Sequence, residues 1–578
     1  MTTADHSGPA FSLHDIPFST HGSWFNISPV VAEKTRAEDL HLVSHQNGMH
    51  GVLRLVPQAD ETRIEATPAL LTWFAPTGRI DLAYASPDTI RLRGTGSLRI
   101  SAAARTLTPF SGTYFFHDAA AGAHVFTSYE TGCRYRVTLL SGTVTETRGT
   151  QALGENERSL TVDASEPTDG TWELAIEELD TARPAYTTTT TFTKIVETAQ
   201  NTFADFADTA APWRSSATPA AELAAYVVQS ATVRPKGLVT RPAVLMSKHW
   251  MDKVWSWDHC FNALALAPGC PDLAWDQFHL PFDHQDEAGA LPDSVTHSEI
   301  LHNFVKPPIH GWALGHLRRR LPAPLDDAAL SETYDRLTRW TEFWLTARRA
   351  PGAALPHYQH GNDSGWDNAT TFDPERVVVT ADLAAFLALQ MHELADLAVQ
   401  LNRPDEAARW TRSAEETQSA MIDELWRGNR FVARGVATGN TWHSDSLLDL
   451  MPIALGEHLP EEISSALADR IETHLTPYGL ATEVPASPHY AADGYWRGPI
   501  WAPATVLVED GLRRAGHHRL ADEISARFRA LCEAHGFAEN FDALTGTGLR
   551  DRAYTWTASS YLLLAEAHTA RVRIGRMS

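Results

Sequence analysis

Asp382–Leu401, DLAAFLALQMHELADLAVQL, repeats apolar residues at three- and four-residue spacing, the period of a helix with one buried face. The spacing returns in Asp405–Trp426, Glu461–Leu475, Ala521–Ala534 and Trp556–Val572. Short Gly- and Pro-rich connections that carry Trp, Asp and His separate these runs. Everything after Pro212 reads this way, and roughly 365 residues hold about twelve helices of ordinary length with short joins. Twelve helices in paired rings form a toroid whose loops converge on one central funnel. No short repeat favours a solenoid, though helical periodicity alone leaves an α-solenoid open.

Upstream the period changes to two. From about Gly22 to Asp180 the chain is Thr-rich, alternating and broken by Gly and Pro, as in Thr89-Ile90-Arg91-Leu92-Arg93, Ser97-Leu98-Arg99-Ile100-Ser101 and Tyr135-Arg136-Val137-Thr138-Leu139. Such runs, bounded by turn residues, predict an antiparallel β-sandwich, with Thr171–Ile176 as its last strand. A Thr-rich bridge, Thr187–Thr193, precedes a connecting helix over Lys194–Asp208. The expected organisation is an α-rich chain of two domains: a sandwich over 1–185, a linker helix over 186–212 and a toroid over 213–578.

Composition narrows the partners. The net charge of -23 leaves little basic surface for nucleic acid or an anionic membrane. No apolar run reaches the roughly 20 residues a bilayer span needs. Met1–Phe11 lacks a basic segment followed by an apolar one, so a cytoplasmic protein is expected. The four cysteines, Cys133, Cys260, Cys270 and Cys532, form no CxxC pair or zinc spacing, and Cys260 and Cys270 read as buried free thiols. Trp is over-used, with 18 residues, many beside Gly, Pro, Asp or His rather than on helical stripes. Aromatic faces of that kind suit sugar rings as well as cores.

Six clusters carry the chemistry. Trp255-Ser256-Trp257-Asp258-His259 opens a helix; Asp258 fits an N-cap, yet the run is too polar for a core and too aromatic for a plain cap. Asp283-His284-Gln285-Asp286-Glu287, ending at Asp293, reads as a solvated acidic loop. Lys306-Pro307-Pro308 precedes an apolar helix, where proline is ordinary. In Gly361-Asn362-Asp363-Ser364-Gly365-Trp366-Asp367-Asn368, Asp363 suits an Asx-turn, while Asp367 follows a Trp whose apolar wall would keep a carboxyl protonated. Arg497, within Tyr495-Trp496-Arg497-Gly498-Pro499-Ile500-Trp501, is set to stack or to donate to hydroxyls or a carboxylate. The last is Phe537-Ala538-Glu539-Asn540-Phe541, with Glu539 a candidate base. Thr545-Gly546-Thr547-Gly548 lacks the Gly-Lys-Ser/Thr of a phosphate loop. Neither HExxH nor GxSxG occurs. Two carboxyls among aromatic and amide residues, Asp367 and Glu539, are what glycoside hydrolysis requires if their loops meet.

In their order along about Pro235–Ala570, these motifs resemble the inverting glycosidases of glycoside hydrolase families 37 and 63, which include trehalases, processing α-glucosidases and mannosylglycerate and glucosylglycerate hydrolases. The trehalase segment Pro-Gly-Gly-Arg-Phe-x-Glu and its glycine-rich C-terminal motif are missing, so family 63 is the closer likeness. The resemblance implies the (α/α)6 barrel, Asp367 as general acid, Glu539 as general base, and a sugar subsite lined by Trp496 and Arg497. With the other motif residues Trp255, Trp257, Asp258, Lys306, Trp366 and Trp501, these are the expected substrate contacts. The expected activity is that of an exo-acting, inverting α-glycosidase, an α-glucosidase on a disaccharide, small oligosaccharide or small glucoside, with no metal or cofactor. Sugar isomerases and epimerases on helical toroids, using His for proton transfer, are the alternative; His249, His259 and His310 are the residues it would draw on.

Overall fold

The computed structural model describes residues 8–76, 78–164 and 170–577; most of the Met1–Phe11 segment lies outside the described residues. The chain forms two compact units. One comprises Met1–Pro212, Ala225–Lys253 and Thr296–Ser298, the other Trp213–Ala224, Val254–Val295 and Glu299–Ser578.

Two antiparallel sheets build the first unit. The smaller runs Phe25–Ala32, Thr35–Ser44, His50–Pro57, Leu98–Ala102, Ser159–Asp163, Thr143–Arg148 in spatial order. The larger runs Thr113–Asp118, Ala123–Ser128, Arg134–Ser141, Trp172–Leu179, Thr89–Gly94, Gly78–Ser86, Leu71–Ala75, Arg63–Ala66. Alternation does what it implies: Ile176 pairs Ile90, Leu174 pairs Leu92, and Leu92 pairs Leu82 in register. These residues join Leu42, Leu53, Leu55 and Ile100 of the other sheet in one apolar core. Each such fully buried side chain contributes roughly 1.5–3 kcal/mol.

The connecting helix spans Phe192–Ala210, capped by the Thr191 hydroxyl accepting from the Lys194 N–H, and packs Phe192 and Ile195 on Ala83. It therefore belongs to the first unit rather than bridging freely. Residues 225–253 also return to this unit, where a continuous helical unit from 213 was expected. Tyr226 stacks on Phe11 at 4.6 Å and hydrogen-bonds the Ser19 carbonyl, and Thr232–Val233 pairs with Ala243–Val244.

The second unit is helical. The runs expected from spacing appear as Ala381–Gln400, Pro404–Leu425, Glu461–Glu472, His518–His535 and Thr555–Met577. Further helices are Asp258–Leu266, Pro271–Asp283, His310–Arg320, Asp327–Thr346 and Ala502–Arg514. Leu447–His458 winds as a 3-10 run instead, because Pro452 removes a donor and Gly456 turns left-handed at φ 57°. Short two-residue ladders brace the loops, as where Asn540–Phe541 pairs with Gly548–Leu549. No helix among the described residues is long and apolar enough to cross a membrane. All four cysteines are free; Cys260 is buried, but Cys270 is only half-buried, at the entry of its helix.

Candidate active site

Local backbone chemistry shapes the loop that carries Asp367. The Ser364 hydroxyl donates to the Gly361 carbonyl at 2.7 Å and accepts from the Trp366 N–H at 3.1 Å, tightening the turn. Gly365 then takes φ 75°, and a Cβ there would lie 2.7 Å from Cζ2 of Trp257. Only glycine meets both demands. Asn368 fastens this loop to the next motif: its amide donates to the Gly494 carbonyl, its Oδ1 accepts from the Trp496 N–H, and its carbonyl accepts from Arg497 Nε at 2.7 Å.

The chain of links continues to Glu539. Ile500 and Phe541 exchange backbone hydrogen bonds at 2.7 and 3.1 Å, and the Glu539 N–H donates to the Asp551 carbonyl at 2.7 Å. Three loops distant in sequence are thus held as one frame. Tyr495 and Arg550 face each other across it, with the guanidinium 4.9 Å from the ring centroid, and both hold left-handed backbone, φ 63° and 59°. Such conformations in non-glycine residues cost free energy and persist where the surroundings enforce them.

The tryptophans form a wall. Trp366 meets Trp496 at 4.6 Å, Trp496 stacks on Trp501 at 4.1 Å with planes 5° apart, and Trp556 stands edge-on to both Trp501 and Trp257. Trp366, Trp496 and Trp501 are 1–2% exposed, so they present little open ring face and instead pack a dry back to the site. Trp257 is buried as well, and Trp255 is half-buried. Arg497 commits its Nε to Asn368 and its Nη2 to Asp373 at 2.5 Å. In this structure it braces loops.

Against that wall sits a cluster of acids. Asp258, Asp293, Asp367 and Glu539 interact electrostatically with one another's neighbourhood and with two cations, Lys306 and Arg550. Lys306 pairs with Asp293 at 3.1 Å and donates to the Asn362 carbonyl at 3.2 Å. Burial pushes Asp258 up to about 8, opposed by Lys306 and assisted by Asp293 and Asp367. Burial likewise raises Asp367, with Lys306, His360 and a hydrogen bond from Tyr495 opposing and Asp293 adding. Glu539 is pushed up to about 8 by burial and by Asp551, with Arg550 opposing. Asp258 Oδ2 and Glu539 Oε2 are buried without a hydrogen-bond partner. Two buried carboxyl oxygens without partners in one acid cluster are expensive to keep, and together with the raised carboxyls they make this cluster the candidate site.

Asp363 has a different role. Its carboxylate accepts from the Val305 and Gln359 N–H groups and from Arg348 at 2.7 Å, which is more than a turn and serves to hold the residue next to Lys306. His259 faces the Trp255 carbonyl, and His310 lies between the Ser256 carbonyl and the Trp340 N–H. Burial pushes His310 down to about 4. His249 lies in the first unit. His310 thus spends both ring nitrogens on structural partners, the Ser256 carbonyl and the Trp340 N–H. Among the described residues no group of three or more His, Cys, Asp or Glu is arranged to hold a metal.

The sequence missed Asp293, Tyr495, Arg550, Asp551 and Trp556. Tyr495 lay inside a quoted motif and was legible by position; Asp293 looked like one more acid in a polar loop.

Comparisons with known proteins place this half of the chain. Residues 251–557 match the family model described as the mannosylglycerate hydrolase MGH1-like glycoside hydrolase domain. The chain is 24% identical over 415 residues to a mannosylglycerate hydrolase of Rubrobacter radiotolerans, covering 56% of this chain and 92% of that one. It is 21% identical over 422 residues to a glucosylglycerate hydrolase of Mycolicibacterium hassiacum, covering 56% and 94%. Among solved structures, the GH63 mannosylglycerate hydrolase of Thermus thermophilus in complex with glucose aligns with a TM-score of 0.52 and 22% identity. That alignment covers 59% of this chain and 98% of the other.

Proposed function

Because the chain belongs to the mannosylglycerate hydrolase MGH1-like glycoside hydrolase family, we propose that it is an exo-acting, anomer-inverting α-glycosidase with Asp367 as general acid and Glu539 as general base. The helices of its second unit are read as an (α/α)6 toroid around that pair. The observation that carries the reading is the meeting of two buried, upward-shifted carboxyls on loops tied to each other through Asn368, Trp496, Ile500 and Phe541.

The division of labour is the one the family resemblance implies, since burial raises both carboxyls. Asp367, raised by burial, keeps its proton for the glycosidic oxygen, and Tyr495 orients the carboxyl by hydrogen bonding. Glu539 in its ionised form, which burial disfavours, Arg550 favours and rising pH populates toward 8, draws a proton from water on the opposite face of the ring. An inverting pair stands about 6.5–9.5 Å apart, which leaves room for that water. Asp258, neutral through most of the physiological range, both donates to and accepts from sugar hydroxyls. Lys306 and the half-buried Trp255 are the other proposed contacts. Trp257, Trp366, Trp496, Trp501 and Arg497 act from behind by excluding water and holding the loops.

The proposed substrate is a small α-glucoside, and the names of the relatives extend it to mannosides and to glycerate as the leaving group. A panel of α-glucosides, α-mannosides and their glycerate conjugates, followed by NMR of the first-formed sugar, tests the reading. Release of a free hexose in the β configuration is expected. Retention of the α configuration overturns the inverting pair, and the absence of turnover on every member overturns the substrate class.

A further inference from the structure

The first unit contains a cavity built only from its own residues, none of which falls in the stretch 251–557 that matches the hydrolase family. The helix Phe192–Ala210 docks on the strand Gly78–Ser86 through Phe192 and Ile195. Farther along, Thr198, Thr202 and Phe206 face Tyr84 and the turn through Pro87 across a space of about 370 Å³. That volume lies within the range of small-molecule sites.

The lining is selective in its chemistry. Phe206, Tyr84 and Pro87 provide apolar surface, while Thr20, His21, Thr198, Thr202 and Gln229 provide polar atoms; among the described residues no Asp, Glu, Lys or Arg lines the cavity. Gln229 is only 4% exposed and lines the cavity. Its side-chain amide brings two donors and an acceptor, the complement of a sugar hydroxyl pair. The Thr198 and Thr202 hydroxyls already donate to the Lys194 and Thr198 carbonyls at 2.8 and 2.9 Å. Their free lone pairs can then only accept. The threonine rim therefore offers a carboxylate or phosphate no donor, and no acid among the described lining residues is there to pair with a cation. Sugar hydroxyls donate and accept, and a pyranose ring has an apolar face for Phe206 and Pro87.

We propose that this cavity is a second, non-catalytic binding site for a neutral mono- or disaccharide. Gln229 is its central hydrogen-bonding group, with the threonine hydroxyls at the rim and the aromatic side chains below the ring. The assignment stands on the cavity alone and does not depend on the hydrolytic reading of the second unit.

Hydrogen exchange on the full chain, titrated with glucose, mannose and trehalose in turn, tests it. At least one sugar should slow exchange at 198–206 and 84–86. Gln229→Leu removes the amide at nearly constant volume, and Thr198→Trp, at an exposed helix position, fills the cavity. Each should weaken that local protection at least tenfold in sugar concentration while sugar-induced protection at 364–368 and 538–541 stays unchanged. Absence of protection at 198–206 with every sugar overturns the site. So does protection that survives Thr198→Trp, a variant whose fold is checked by its melting temperature and which decides the matter if Gln229→Leu fails to fold.

Discussion

Asp363 and Glu539 are carboxylates on two loops of the helical unit, each 1% exposed. Asp363 receives two backbone N–H groups and the Arg348 guanidinium. Glu539 leaves Oε2 without a partner, has Asp551 and Asp367 as neighbouring acids, and is pushed up to about 8. Burial is equal, and the supply of partners is what differs. The fold has donors available for a buried acid and applies them at Asp363, so their scarcity at Glu539 is a feature of that place and leaves coordination open for water and substrate.

The largest expected effect comes from exchanging the two roles by mutation. Glu539→Gln should lower kcat by about 10²–10⁴-fold, the worth of a positioned acid or base. Its melting temperature should hold or rise, since the amide no longer has to take up a proton on folding at neutral pH. Asp363→Asn should do the reverse, weakening the fold by roughly 3 kcal/mol through a stranded Arg348, with kcat per folded molecule changed less than about tenfold. Steady-state kinetics beside thermal melts separates these outcomes. The contrast breaks if Glu539→Gln is the variant that melts early.

Gly365→Ala probes the junction between Trp wall and acid loop. The left-handed backbone alone costs about 1–2 kcal/mol for a residue with a Cβ, and the methyl also meets the Trp257 ring. Displacing Asp367 by a fraction of an ångström should lower kcat by about tenfold or more while KM changes little. A variant with wild-type kcat would show that the loop tolerates movement and that the frame around Asp367 is looser than its hydrogen bonds suggest.

The sequence discloses what depends on local periodicity and hides what depends on partners. Asp382–Leu401 reads as a helix because its apolar spacing persists over five turns, whereas Leu447–His458 is apolar enough for a helix but is broken from within by Pro452 and Gly456. The acidic loop beginning at Asp283 looks uniform in sequence. In space it divides: Asp283 pairs with Arg336, Asp286 accepts from the Ala290 N–H, and Asp293 pairs with Lys306 among the candidate acids. Arg550 comes near Glu539 only because the Asn540–Phe541 and Gly548–Leu549 ladder folds the chain back, and no residue pattern announces that approach. The Trp motifs identify the neighbourhood, but their spacing could not show that the rings satisfy one another. Likewise, nothing in the helical period of the second half foretells that 225–253 packs with the sheets.

The smallest effect bears most directly on the charge state of Glu539. Its ordinary pKa near 4.5 is raised to about 8 on folding, so between those values the folded chain holds a proton that the unfolded chain has released. Stability from this source is full below the ordinary value and drains as pH rises toward 8, by up to about 1.4 kcal/mol per pH unit. His310 and His474, both pushed down to about 4, run the other way, but only between about 4 and 6.5. Buried Lys248, whose pKa is lowered by burial, also opposes the trend, yet it is common to wild type and variant and drops out of their difference. The melting-temperature gain of Glu539→Gln over wild type should therefore be larger at pH 8 than at pH 6.5, by a few degrees at most in scanning calorimetry. An equal gain at both values would mean that Glu539 is already ionised at pH 6.5, and its difference from Asp363 would then lie in geometry alone.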